Sequence, residues 1–394
     1  MPRLNLFFVI FGLIVLALVV GSHALLYQRL AVSTQLPKIW QQVVAVLLVA
    51  LAISLPAGLI VVRMLGLSWL RNWAVVSFVW MGLLFLLLVA VGAASLLGWG
   101  HDKVADLRGL AVDPERRLFF TRLLAGSATG GALLAGTVAM QQAWRRPELR
   151  RVEVPLAKLH KSMNGLTIIQ VSDVHVGPTI RREWVEALVA EVNAAKPDIV
   201  ALTGDMVDGS VAELADHVAP FAKLQARLGV FFVTGNHEYF SNVEPWLDYW
   251  RSLGFRVLRN ECVTLRDGDA VLDVLGVDDW SAERLGQPGH GHDLKKAVQG
   301  RDTTRPSLLL AHQPKAIDQA AAAGIDLQLS GHTHGGQIWP FNWLVQLQQP
   351  YVAGLHKHAS TWIYVSRGTG FWGPPMRLAA PSEVTQIVLR SVDS

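Results

Sequence analysis

Leu166-Thr167-Ile168-Ile169-Gln170-Val171-Ser172-Asp173-Val174-His175 is an apolar run that ends abruptly in two metal-capable side chains. The same grammar recurs downstream. Ile199-Val200-Ala201-Leu202 leads to Asp205, and Val230-Phe231-Phe232-Val233 leads to Asn236 and His237. Leu308-Leu309-Leu310 leads to His312, and Leu327-Gln328-Leu329 leads to His332 and His334. Short β-rich runs bounded by Gly, Ser and Asp predict buried strands. Between them, Glu183–Ala195 places Trp184, Leu188, Val189 and Val192 on one helical face, and Val211–Leu228 and Pro314–Ala323 predict further helices. Strands alternating with helices imply a largely parallel layer. In such sheets ligands gather beyond the carboxyl ends of the strands, where all of these groups stand. Phe255–Leu265, Ala270–Val277, Ser360–Ser366 and Glu383–Arg390 predict additional strands. The expected fold class is α/β: a two-sheet β-sandwich flanked by helices, its strand order left open.

The chain before this region has a different character. Of its 394 residues 51% are hydrophobic, and long uncharged runs crowd the first third. Three of them, near Leu4–Leu26, Ile39–Val62 and Trp73–Trp99, reach the roughly 20 residues a spanning helix needs. Their interiors hold no Asp, Glu, Lys or Arg. Buried charges mark ion and substrate pathways, so these runs suit an anchor better than a transporter. The first run exceeds the apolar core of a signal peptide and is followed by further spans, so it is expected to stay uncleaved. A fourth run, Leu118–Met140, is richer in Gly and Ala and contains Arg122. The expected organisation is a membrane region over 1–145 with three or four transmembrane helices, then a globular domain over 150–394.

Orientation is less plainly written. Glu115-Arg116-Arg117-Leu118-Phe119-Phe120 resembles a twin-arginine export signal placed internally, or is a basic loop retained in the cytoplasm. Both readings put Arg116 and Arg117 inside. If Leu118–Met140 crosses, the globular domain lies on the extracytoplasmic side of a bacterial inner membrane. Arg29, Lys38, Lys103 and Arg108 agree with that arrangement, whereas Arg63, Arg71 and the Arg145–Arg151 cluster run against it.

The formal net charge is +4, and much of the excess flanks apolar segments, as at Arg145, Arg146, Arg150 and Arg151. Such residues set orientation or meet anionic headgroups. No basic stripe interleaved with aromatics supports nucleic-acid binding. The single cysteine, Cys262, excludes an intrachain disulfide and reads as a packed strand residue.

The donor types at the strand ends suit a two-metal site. Aspartate can bridge cations, and neutral imidazole suits Zn, Fe and Mn. Two ions about 3.5–4 Å apart can share a hydroxide and clamp phosphoryl oxygens during in-line attack. The set contains no Cys, which argues against a structural zinc site. One histidine after a strand is ordinarily a capping residue, and Asp205 alone suits a turn. Independent turn chemistry would not place seven compatible donors in this order.

Asp173-Val-His175, Gly204-Asp205 with Asp208, Gly235-Asn236-His237-Glu238, His312 before Pro314, and Gly331-His332-Thr333-His334 resemble, in order, the signature blocks of the calcineurin-like metallophosphoesterases. The resemblance covers roughly Leu166 to Leu389. Gly335-Gly336-Gln337, Ser366-Arg367-Gly368 and Pro375-Met376-Arg377 are similar to the membrane-associated bacterial branch. The resemblance implies two divalent metal ions, Mn, Zn or Fe. It assigns Asp173, His175 and His334 to the first, Asn236, His312 and His332 to the second, and Asp205 as the bridge. It makes His237 the catalytic acid or charge stabiliser. Val174 and Val176 depart from the family's commoner Leu without consequence.

Arg367 and Arg377 are candidate substrate-binding residues, since Arg binds phosphate in a bidentate way. Asp278 and Asp279 suit either hydrogen bonding behind the site or a turn. His290, His292, His356 and His358 fall outside the signature, the first two in a stretch expected to be a solvated loop. Ile338, Trp339, Phe341, Trp343, Leu344, Phe371 and Trp372 suit either a membrane interface or a packed lid. The expected partners are a phosphoester substrate, lipid-linked, and membrane lipid. Relatives suggest the pyrophosphate of a UDP-diacylglucosamine-type precursor. That compound is made in the cytoplasm, in conflict with an exported domain. A general envelope phosphodiesterase is the alternative, and an inactive membrane sensor would lack a donor or His237; none is missing.

Overall fold

A computed structural model describes residues 6–60, 71–109 and 113–392. The chain forms two compact units, Met1–Met140 and Gln141–Ser394.

The first unit is helical. Its elements are α1 (Leu6–Tyr27), extended by a π-helical turn over Gln28–Val32, then α2 (Lys38–Ile60), α3 (Arg71–Leu107) and α4 (Pro114–Ala143). Among the described residues, four helices are long and apolar enough to cross a membrane, over Gly12–Val32, Lys38–Gly58, Trp73–Leu107 and Pro114–Ala143. The weak Leu118–Met140 run therefore joins the other three. Leu4, Val62 and Arg63 lie outside the described residues. Leu18, Val46, Ile53, Leu97 and Leu134 point outward and are exposed, as lipid-facing side chains are and those of a water-soluble bundle are not. Polar groups pin the helices: Trp80 Nε1 donates to His23 Nε2 (3.0 Å), Ser77 Oγ to the Ser54 carbonyl (2.9 Å) and Arg122 Nε to the Thr34 carbonyl (2.9 Å).

The second unit is built on β1 (Glu148–Leu156), β2 (Thr167–Val171), β3 (Ile199–Leu202), β4 (Val230–Phe232), β5 (Arg256–Val257), β6 (Glu261–Asp267), β7 (Ala270–Gly276), β8 (Ser307–Leu310), β9 (Leu327–Ser330), β10 (Gly354–His358), β11 (Thr361–Val365) and β12 (Glu383–Ser391). They make two mixed sheets, ordered β1-β12-β2-β3-β4-β5 and β10-β11-β9-β8-β7-β6. Within them, β2 to β5 are parallel, as are β7, β8, β9 and β11.

Alternation sorts the side chains into layers. Ile168, Ala201, Phe231 and Ile387 face Leu308, Leu327, Leu329 and Tyr364 of the other sheet. Their chain neighbours Ile169, Val200, Leu202 and Phe232 face outward, under α5 (Arg182–Ala194), α6 (Val211–Val218) and α8 (Val243–Ser252). The second sheet's Leu309, Ile363 and Val365 lie under Ile317 and Ala320. Both faces of each sheet are covered, which explains why the strands read as unbroken apolar runs. Gln170 is one of the polar residues between the sheets. Its amide donates to Thr203 Oγ1 and to the Ser330 carbonyl, both at 2.9 Å, linking one sheet to the other.

Several expected elements differ in detail. Phe255–Leu265 is two strands, β5 in one sheet and β6 in the other. The chain crosses between them through Asn260, whose φ is +52°. Alternation continues across such a crossing and does not reveal it. Val211–Leu228 is α-helical only to Val218, because Pro220 lacks the N–H needed to continue. Pro314–Ala323 opens with a 3-10 turn before its α-helix. On α5 the buried residues are Val185, Leu188, Val189 and Val192, with Trp184 only partly covered. Trp250 is fully buried, stacking on Trp246 and Phe255 with centroids at 5.4 and 5.9 Å. Trp250→Ala should cost about 3–5 kcal/mol, read as a lowered denaturant midpoint of the detergent-solubilised chain.

Candidate metal centre

The parallel strands deliver their chemistry at their carboxyl ends. Asp173 and His175 follow β2, and Asp205 and Asp208 follow β3. Asn236 and His237 open α7 (Asn236–Phe240) after β4, His312 follows β8, and His332 and His334 follow β9. Asp173, His175, Asp205, His332 and His334 all have left-handed φ, between +50° and +71°. That region costs about 1–3 kcal/mol for a non-glycine residue unless the surroundings impose it. Here they do. Asp173 N–H donates to the Gly204 carbonyl (3.0 Å), His175 N–H to the Asp205 carbonyl (3.1 Å) and His332 N–H to the Asp173 carboxylate (2.9 Å). Gly331 and Gly235 are required, because a Cβ would fall on the Asp173 and Asp205 carboxylates.

Among the described residues three groups of donors converge: Asp173, His175 and His334; Asp205, His312 and His332; and His175 with Asp208 and His237. In each, the candidate atoms lie within 4.8 Å of one another. Asp205 Oδ2 stands between the groups, 3.2 Å from His312 Nε2, 3.9 Å from His237 Nε2 and 4.0 Å from His175 Nε2. Asn236 Oδ1 is buried and has no hydrogen-bond partner, and the same is true of His312 Nε2.

Hydrogen bonds at the far ring nitrogens decide which lone pairs face inward. His312 Nδ1 donates to the Thr203 carbonyl (2.8 Å), which turns Nε2 inward toward Asp205. Asp208 Oδ1 accepts from Nδ1 of His175 (3.2 Å) and of His237 (2.5 Å). His334 differs: its Nδ1 accepts from Arg377 Nη2 at 3.0 Å, and its Nε2 faces His175 Nε2 at 3.0 Å.

Electrostatics follow this arrangement. Burial pushes His332 down to about 3, reinforced by His312, so its imidazole is neutral. Burial opposes ionisation of Asp205, but His312, His237 and His175 hold it well below the usual carboxylate range. Burial likewise opposes the His237 cation, yet Asp205 and Asp208 raise it to about 9. The His237 ring meets Phe240 and Trp372, with centroids at 5.4 and 5.6 Å.

Three groups that sequence reasoning gave no role support the site. Asp208 orients two rings, the Thr203 carbonyl sets a third, and Glu238 accepts the N–H groups of Asp205 (2.9 Å), Met206 (2.7 Å) and Gly235 (2.7 Å). Asp208 and Glu238 stand inside the quoted motifs, so position alone was a usable signal. Asp279 accepts from Gln313 Nε2 at 3.1 Å, beside His312, whereas Asp278 forks with Arg259 at 2.8 and 3.0 Å.

Other expectations need correction. Arg377 is fully buried, and its guanidinium is consumed by the carbonyls of Gly370, His334, Arg367 and Ala380 as well as by His334 Nδ1. It has no free face for a phosphate. Arg367 pairs with Glu383 at 2.9 Å. His290 is buried, not solvated, between Tyr239 (3.1 Å) and Glu244 (2.7 Å). His292 meets Gln319, His356 the Ala353 carbonyl and His358 Asp318. Cys262 is half-buried on β6, and burial pushes its thiol up to about 11.

Residues 166–336 match the family described as Calcineurin-like phosphoesterase. The chain belongs to that family, and so to the metal-dependent phosphoric ester hydrolases. It is 40% identical over 309 residues to a transmembrane protein with metallophosphoesterase domain from Bos taurus, an alignment covering 76% of this chain and 68% of that protein. It is 41% identical over 246 residues to an uncharacterized metallophosphoesterase of Helicobacter pylori, covering 62% and 64%. A dimetal phosphatase from Danio rerio superposes with a TM-score of 0.37 at 13% identity, covering 57% of this chain and 99% of that one. The family implies divalent metal ions, and the His and Asp groups above are of the right kind to hold them.

The raised His237 has a consequence for the metal-free chain. A histidine held above its ordinary 6.5 adds stability that is complete below pH 6.5 and is lost as pH rises through about 9. Denaturation of the chelator-treated protein should show that loss, and His237→Gln should flatten the difference between pH 6.5 and 9. Identical pH profiles for the two proteins would remove the assigned ion pair.

Proposed function

We propose that the chain is a membrane-anchored, dinuclear phosphoesterase that hydrolyses a phosphodiester or pyrophosphate bond. The observation that carries this reading is the pair of donor groups with the Asp205 carboxylate between them. Asp173, His175 and His334 would hold one ion, Asn236, His312 and His332 the other, and Asp205 would bridge. The residues fit: leaving Asn236 Oδ1 buried and unpartnered costs about 1–3 kcal/mol unless a cation takes its lone pair. When bound, two such cations supply an acidified water and neutralise charge on the phosphoryl oxygens.

The protein's own part is positional. Thr203 and Asp208 fix the ring tautomers, and Glu238 holds the Asp205 loop against the start of α7. Asp208 accepts a hydrogen bond from Nδ1–H of His237 and, with Asp205, favours its imidazolium form, whose Nε2–H would be presented to the substrate side. The His237 side chain is 12% exposed, enough to reach a leaving oxygen while largely shielded from water. His237→Ala should keep its metal, by elemental analysis, while turnover falls roughly 10²-fold; unimpaired turnover would remove the role. His312→Ala should instead lose bound metal.

Residues 1–145 would form a multi-pass anchor in a bacterial inner membrane, with the catalytic domain on the extracytoplasmic side. Support comes from the four spanning-length helices and from Arg116 and Arg117 in the first turn of the last. For the substrate, the tether favours a lipid-linked phosphoester; a UDP-diacylglucosamine-type pyrophosphate is the specific case to assay, and because that compound is made in the cytoplasm its turnover in cells would put the domain on the cytoplasmic side instead. Hydrolysis of that lipid should exceed hydrolysis of bis-p-nitrophenyl phosphate with Mn or Zn supplied. Turnover of the soluble diester alone would make the enzyme a general envelope phosphodiesterase.

A further inference from the structure

The loop following His334 carries no Asp, Glu, Lys or Arg before His356, and the stretch between Arg367 and Arg377 carries none either. In a domain otherwise studded with charge, these two segments stand apart. Their apolar side chains divide cleanly. Ile338 and Phe371 turn inward and are buried, whereas Trp339, Trp343, Leu344, Leu347 and Trp372 stay between 47% and 81% exposed. The exposure is therefore not a failure of the loop to pack. Gln337 joins the two segments into one surface. Its amide oxygen accepts the Trp372 N–H (3.0 Å), and its Nε2 donates to the carbonyls of Trp372 (2.8 Å) and Pro374 (3.2 Å).

We infer that this rim is a bilayer-docking surface, which inserts into the interfacial zone of the membrane and holds the metal centre at headgroup depth. The inference rests on the membrane-anchored reading above. Tryptophan with leucine, flanked by uncharged Gln and Asn, is the composition that settles where hydrocarbon meets headgroups. The same chain holds helices able to cross a bilayer, so a membrane is the surface always within reach. The patch is continuous with the chemistry, because Trp372 lies edge-on to His237 at 5.6 Å. Docked this way, the centre faces phosphoryl groups at the level of lipid headgroups, and the substrate class follows: an ester or anhydride whose apolar part remains in the bilayer.

The test uses the full chain in proteoliposomes of phosphatidylcholine and phosphatidylglycerol. Cys262→Ser supplies a background with no other thiol. A fluorophore sensitive to its surroundings is then attached at Trp343→Cys, Leu347→Cys or the control Asp269→Cys. Asp269 lies in the β6–β7 turn, at the end of the sheets remote from the site, and is exposed. Emission at 343 and 347 should be blue-shifted, quenched several-fold more by lipids nitroxide-labelled near the headgroup than at 269, and shielded from aqueous iodide. Iodide access equal to that at 269 would overturn the inference. Shielding from iodide without quenching by the labelled lipid would also overturn it, by showing a protein partner or a second copy on the patch. Hydrolysis of bis-p-nitrophenyl phosphate by the labelled proteins reports separately on the metal centre, so loss of docking and loss of chemistry are told apart.

Discussion

A carboxylate held in the interior among imidazole rings is stable only with positive charge close to it. Asp205 is in that position, with His312, His237 and His175 nitrogens 3.2 to 4.0 Å from its Oδ2. Burying an ion without compensation costs several kcal/mol. The chain reduces that cost with histidine charge when metal-free. Cations that also satisfy Asn236 Oδ1 and His312 Nε2 would offset it more completely. Every other feature of the site serves this convergence. Thr203 and Asp208 turn the rings inward by occupying the opposite ring nitrogens, and Glu238 accepts buried N–H groups of the two loops that carry Asp205 and Asn236.

Convergence is achieved at the expense of local backbone comfort. Five donor residues sit in left-handed conformations, a set no loop would adopt unaided. They persist because each is cross-bonded to a loop from another strand, Asp173 to Gly204 and His332 to Asp173. The strands, covered on both faces, are rigid enough to impose the strain. Close approach then removes room for side chains at Gly235 and Gly331. A soft scaffold would relax, and the donors would separate.

Much of this was legible in the chain because the rules involved are local. Apolar runs marked β2, β3, β4, β8 and β9, and the polar residues directly after them marked the edge where chemistry gathers. What escaped depends on distant contacts. β1 is charged and exposed over its first half, an edge strand that hydrophobic pattern cannot see. The switch of sheets at Asn260 leaves alternation intact. Arg377 looks like a phosphate ligand by type, and only its carbonyl partners, drawn from several loops, show that it is already saturated. His290 looks solvated among glycines until Tyr239 and Glu244 close over it.

The placement of β12 imposes an order on biosynthesis. It lies between β1 and β2, pairing with both, although it follows them and every other strand described above in the chain. Until it is made, the first sheet has a gap in its middle. Arg377, which grips the His334 loop, also arrives late. The donors are thus synthesised in sequence but share a sheet that is closed only once β12 is in place.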